Sequence, residues 1–201
     1  MKRFDVALSS DQLKEEILRT AGKRFRAFGF KKTAMAEIAD DLGMSTANLY
    51  RYFPSKLDIA EAFALRCLEE KEVDLLTAVQ MSMTPSNCLT SYALALLHYN
   101  FEQLHDFPKI NEIIMTLCDE KPALVDRKIQ GELVVIEDII RRGCIEEEWQ
   151  VVNVENTSKA ILSSWVMFTT PMFMKHKTIE ELEERLRCIL QLLLTGLNKR
   201  V

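Results

Sequence analysis

Two groups of residues in this chain have the types and spacing to do chemistry. The first is the run Met44-Ser-Thr-Ala-Asn-Leu-Tyr-Arg-Tyr-Phe-Pro-Ser-Lys56. Three aromatic rings crowd there behind small polar residues. Asn48 can read an adenine edge, and Thr46 can touch a thymine methyl. The hydroxyls of Tyr50 and Tyr52 can donate to phosphate while their rings pack on sugar. Lys56 can reach a phosphate backbone as a point charge. The second group is His98, Glu102 and His105, spaced i, i+4 and i+7 on one helix face. Histidine and carboxylate on one face can bind zinc or another divalent metal. Three ligands spread over two turns of a single helix rarely converge, however. Polar pocket lining or plain surface is therefore expected at this face, with no metal and no cofactor.

Both groups need helices to position them. The chain has 201 residues with only 6 Gly and 5 Pro, and it is rich in Leu, Glu, Lys and Ala. That composition argues for an all-α protein. Ser10 or Ser9 can cap a first helix from about Asp11, whose Leu13, Ile17, Ala21, Phe25 and Phe28 recur at helical spacing up to Gly29. Thr33 reads as the cap of a short second helix ending at Gly43, and Ser45 as the cap of a third through Phe53. Ser55, with Asp58 three residues on, reads as the start of a helix to about Gln80. Further helices are expected from Thr84-Pro85 to about His105, from Pro108 to before Pro122, and from Ala123 to about Cys144. Two more should run from near Glu155 to Met174 and from Thr178, boxed with Glu181, to Leu197.

Charge divides the chain unevenly. Residues 1–56 carry 11 Lys/Arg against 7 Asp/Glu, and the remainder carries 15 against 23. A basic head on an acidic body is expected if only the head meets phosphates. Cys67, Cys88, Cys118, Cys144 and Cys188 are scattered, with no C-x-x-C pair. They fit free thiols rather than a disulfide framework or zinc site. No stretch approaches the roughly 20 apolar residues of a membrane span, and the N-terminal residues turn polar too soon for a secretory signal. A soluble, cytoplasmic protein is expected. There is no G-x-G-x-x-G, P-loop, H-E-x-x-H or nucleophile elbow, so an enzyme is not.

Met35 to Pro54 reads as two short helices crossing at a tight turn. Ala39 allows the close approach, and Gly43 tolerates the positive φ of the turn. Ile38, Leu42, Met44 and Leu49 fall where side chains pack between the helices. With Leu49 inward, Thr46, Asn48, Tyr50 and Tyr52 cannot all point inward too, because successive residues lie about 100° apart. The segment "FRAFGFKKTAMAEIADDLGMSTANLYRYFPSK", Phe25 to Lys56, resembles the DNA-binding domain of TetR/AcrR-family transcriptional regulators. The resemblance implies a homodimer of two-domain, all-α chains. An N-terminal three-helix helix-turn-helix domain (1–56) would bind double-stranded DNA. A larger helical domain (57–201) would bind a small-molecule effector, apolar or amphipathic, and dimerise. It places DNA contacts on Thr33, Thr46, Ala47, Asn48, Tyr50, Tyr52 and Lys56, with Leu49 and Phe53 in the core. Ala34 stands where relatives often carry Ser or Thr, and Ala47 where Gly is frequent. Lys2 and Arg3 can serve as a basic arm or as an uninvolved tail.

Beyond the head the resemblance is architectural. The apolar run from Trp165 to Met174 suits homodimer burial, core packing, or both. His98, Phe101, Glu102, His105, Met115 and Trp165 are the candidates for an effector pocket. The competing reading is a helical protein-interaction module that keeps the hairpin for packing only. Salt-sensitive binding to duplex DNA separates the two.

Overall fold

A computed structural model describes residues 9–80 and 84–197. The Lys2–Arg3 arm lies outside them. Every element described is a helix, and the chain divides into two compact units. The first comprises residues 1–67 and 107–124, the second 68–106 and 125–201.

The first unit begins with α1, Ser10–Phe28, capped by Ser9. The Ser9 hydroxyl accepts from the Gln12 N–H, and the Gln12 side chain accepts from the Ser9 N–H, so two orphan donors are satisfied reciprocally. Then come α2, Met35–Asp41, and α3, Thr46–Tyr52. The cap of α2 is Ala34 rather than Thr33. Its N–H donates to the Glu37 carboxylate at 2.8 Å, while the Thr33 hydroxyl turns back to the Gly29 carbonyl at 2.9 Å. Gly43 sits between α2 and α3 at φ +65°, the left-handed conformation the turn needs. Ile17, Ala21, Phe25, Ile38, Ala39, Leu49 and Ile59 are fully buried and form the core. The long α4, Lys56–Gln80, starts in this unit. It presses so close to α1 that a Cβ on Gly22 would lie 2.4 Å from the Phe63 ring. The short α6, Ile110–Glu120, also belongs here and packs on α1.

The second unit is built on α5, Pro85–Asp106, which packs against α11, Ile179–Leu197. The remaining helix of full length is α7, Pro122–Ile145. Tyr92, Leu96, Leu97, Ile136, Ile140, Ile161, Trp165, Phe168, Leu182 and Leu186 fill one continuous core. The single helix expected from Glu155 to Met174 is instead three: α8, Val154–Ser164; α9, Val166–Thr169; and α10, Pro171–Met174. Two local causes break it. At Trp165 the chain tightens to i→i−3 bonds, Trp165 N–H to Leu162 O and Phe168 N–H to Trp165 O. At Thr170 the residue before proline is extended, φ −115° and ψ 115°.

Candidate functional site

The outer face of α3 is built from its buried one. Leu49 has no exposure and anchors the helix. The Ser45 hydroxyl accepts from the Asn48 N–H at 3.2 Å and starts it. One residue either side of Leu49 the helix has turned by about 100°. Ala47, Tyr50 and Arg51 are accordingly exposed, and Thr46, Asn48 and Tyr52 are half-buried. Tyr50 keeps 48% of its surface open to solvent. Arg24 braces α1 against α2 through a two-pronged bond to Asp41, at 2.5 and 2.9 Å. That guanidinium holds the Asp41 carboxyl below its usual range.

The other two residues of the expected contact set have internal partners. Thr33 is 2% exposed and its hydroxyl is bound to Gly29. The Lys56 ammonium donates to the Phe30 carbonyl at 2.7 Å and the Thr33 carbonyl at 2.8 Å, above the Phe30 ring. Burial pushes its pKa down, and Glu112 and Glu37 oppose that. Lys56 thus pins the α1–α2 turn to the start of α4 and has at most one N–H left for a phosphate. Sequence reasoning passed over three exposed cations nearby in sequence: Lys31 and Lys32 in the same turn, and Arg51 on α3. Their signal was charge alone, which does not distinguish a contact from a solvated surface.

Among the six residues expected to form an effector pocket, Phe101 and His105 lie against each other, and none of the six lines the cavity described below. His98 Nε2 lies 2.7 Å from Glu183 on α11. His105 stacks on Phe101, with centroids 4.2 Å apart, and Glu102 and His105 face solvent. Met115, 63% exposed, belongs to the first unit, whereas Trp165, 1% exposed, packs on Tyr92 inside the second. Among the described residues no group of three His, Cys, Asp or Glu could hold a metal.

A different cluster does enclose a cavity. Leu68, Lys71, Glu72, Leu75, Tyr92, Lys128, Gly131, Glu132 and Val135 line a space of about 20 Å³, room for one water. Lys71 and Glu132 are buried as an ion pair at 2.8 Å, and Lys128 gives Glu132 a second partner at 3.1 Å. Burial raises the Glu132 carboxyl, but the two ammoniums outweigh it and hold the pKa low. Burial pushes Lys71 down and raises the Tyr92 phenol. The signal for this pair was present in the sequence. Leu68, Lys71 and Leu75 share an apolar stripe, as do Glu132, Ile136 and Ile139, and each stripe is interrupted by one charge.

Residues 17–63 match the family described as "Bacterial regulatory proteins, tetR family". Residues 85–190, more than half of the chain, match the one described as "Tetracyclin repressor-like, C-terminal domain". The chain belongs to the TetR family. It is a DNA-binding regulator of that family, with an N-terminal helix-turn-helix domain followed by a helical domain. Members of the TetR family are regulators rather than enzymes. Among curated relatives, the nucleoid occlusion factor SlmA of Idiomarina loihiensis is 27% identical over 154 residues, 77% of this chain and 68% of that one. The HTH-type transcriptional regulator RutR of Escherichia coli K12 is 29% identical over 126 residues, 62% of this chain and 57% of that one. A transcriptional regulator from Cytophaga hutchinsonii shares the fold at TM-score 0.70 and 23% identity, over 92% of this chain and 98% of that chain. A TetR/AcrR-family regulator from Thermobifida fusca does so at 0.69 and 17%, over 93% and 99%. No helix among the described residues is long and apolar enough to cross a membrane.

Proposed function

We propose that this TetR-family chain is a ligand-responsive repressor that binds a palindromic operator as a homodimer and is released by a small molecule. The observation that carries the reading is the division of α3, with Leu49 wholly buried and Ala47, Tyr50 and Arg51 turned outward. Asn48 and Thr46 supply base-edge contacts, Tyr50 and Tyr52 phosphate and sugar contacts, and Ala47 permits close approach. Thr33 and Lys56 act mainly by shaping the turn before α2, with one Lys56 N–H available to a phosphate. Dimerisation is supported by apolar side chains left open in the second unit: Leu192 on α11 at 75% exposure, Val166 at 51% and Phe173 at 45%. An isologous contact through α11 and the α8–α10 segment covers them.

Selection of bound sequences from a random duplex pool, with the full chain, tests this. The expected product is an inverted repeat whose half-sites lie a whole number of helical turns apart, about 34 Å or a multiple. A single asymmetric half-site contradicts the dimer, and no enrichment at low salt contradicts DNA reading itself.

A further inference from the structure

The outermost line of α3 is formed by Ala47 and Arg51. Leu49 is the buried anchor, with no exposure. Helix residues turn by about 100° each, so the residues two places before and two places after Leu49 both point about 160° away from it. Asn48 and Tyr50 flank that line at about 100°, and Thr46 and Tyr52 fall back to about 60°, toward the buried side. The exposures agree: Ala47 and Arg51 are exposed, whereas Thr46 and Tyr52 are half-buried. Ala47 and Arg51 also stand one turn apart on the same ridge. Ala47 ends at its Cβ, so the backbone can come close to a groove floor there, with room beside it for the longer Arg51 side chain.

Arg51 differs from the other described arginines of the first unit in having nothing to hold. Arg19, Arg24 and Arg66 are ion-paired with Glu16, Asp41 and Glu15. Arg26 lies over the Phe63 and Phe107 rings. Arg51 has no hydrogen bond, ion pair or ring contact among the described residues. No residue of α3 is acidic, so the helix supplies no carboxylate to occupy it. Its planar fork of N–H donors is left open.

We propose that Arg51 is the specificity-determining residue of the head and that it reads a guanine, donating two N–H groups to O6 and N7 in the major groove. The inference rests on the reading of DNA by α3 and names the base that α3 selects. Position separates this role from a phosphate contact. Phosphates border the groove on either side of an inserted helix, while the side chain opposite the buried anchor faces the groove floor and its base edges. One arginine per head specifies one guanine per half-site.

The test starts from the duplex that the full chain selects from a random pool. A guanine is expected at one fixed position of each half-site. Replacing that G·C pair by A·T should weaken wild-type binding about ten- to hundredfold, the worth of one bidentate contact to a base edge. Replacing only the guanine by 7-deazaguanine, which lacks the N7 acceptor, should weaken it too, and this reads the contact in the unaltered protein. Arg51→Ala should bind all three duplexes alike, and its own selection should return the same motif with that position degenerate. If Arg51 serves a phosphate instead, Arg51→Ala weakens every duplex by one common factor and keeps the preference for guanine. That result overturns the proposal. A selected motif without a fixed guanine, or wild-type binding indifferent to 7-deazaguanine, overturns it as well while leaving DNA reading by α3 in place. Selection of no motif at all overturns DNA reading itself, and this assignment with it.

Discussion

At the scale of single residues, neighbours on one turn of α3 have opposite tasks, and substitution should separate them. Leu49→Ala removes a wholly buried side chain and should destabilise the head by about 2–5 kcal/mol, read by denaturant unfolding. Tyr50→Ala removes a ring that is half in solvent and should leave stability within about 0.5 kcal/mol. It should nonetheless weaken DNA binding. An unfolding midpoint unchanged in Leu49→Ala would refute the orientation of α3. Lys56 makes a different prediction. A lysine serving only phosphate could be removed without structural cost. One holding two backbone carbonyls cannot, and Lys56→Met should cost about 1–3 kcal/mol of stability in the absence of DNA.

At the scale of elements, the starts of helices were the most legible part of the sequence. Ser55 with Asp58 and Thr178 with Glu181 are side chains whose chemistry is used locally, within three residues, and of the two serines expected to cap α1 it is Ser9 that does so. Ser55→Ala should therefore cost about 1 kcal/mol, measured by thermal unfolding. What is not local was not legible. Thr33 looked like a cap because it is a threonine before a helix, but its hydroxyl found the Gly29 carbonyl first. The run from Trp165 to Met174 looked continuous because its apolar residues kept coming. The break follows a tightening to i→i−3 bonds at Trp165 and an extended residue before Pro171, neither of which apolar periodicity signals. The buried Lys71–Glu132 pair was overlooked for a similar reason: on either helix alone it is a single interruption of a stripe. The outer face of α3 was readable because one buried leucine fixes the direction of its neighbours. The effector set rests on spacing along α5, which places residues on a helix and says nothing about which helices meet them.

At the scale of the whole molecule, pH gives a test with a definite sign. Asp41, Asp58 and Glu132 all have folded pKa values below their ordinary ones, held there by Arg24, by Ser55 with Lys121, and by the two lysines outweighing burial. A depressed carboxyl contributes stability above its unfolded pKa and loses it as pH falls through the folded one. The chain should thus be insensitive to pH just above about 5 and lose stability progressively below about 4. Stability that rose on acidification would contradict these ion pairs. The exposed apolar faces make the second test at this scale. Leu192→Glu places a charge where a partner copy is proposed to sit, and it should shift the sedimentation profile toward monomer with the helical content unchanged.

The central claim is that the outward face of α3 reads duplex DNA. The most direct measurement is footprinting of the selected operator, wild type beside Tyr50→Ala, across a salt series. Protection of both half-sites by wild type, falling steeply with salt and lost in a variant that melts like wild type, is the predicted result. Equal protection by the two proteins would contradict the claim.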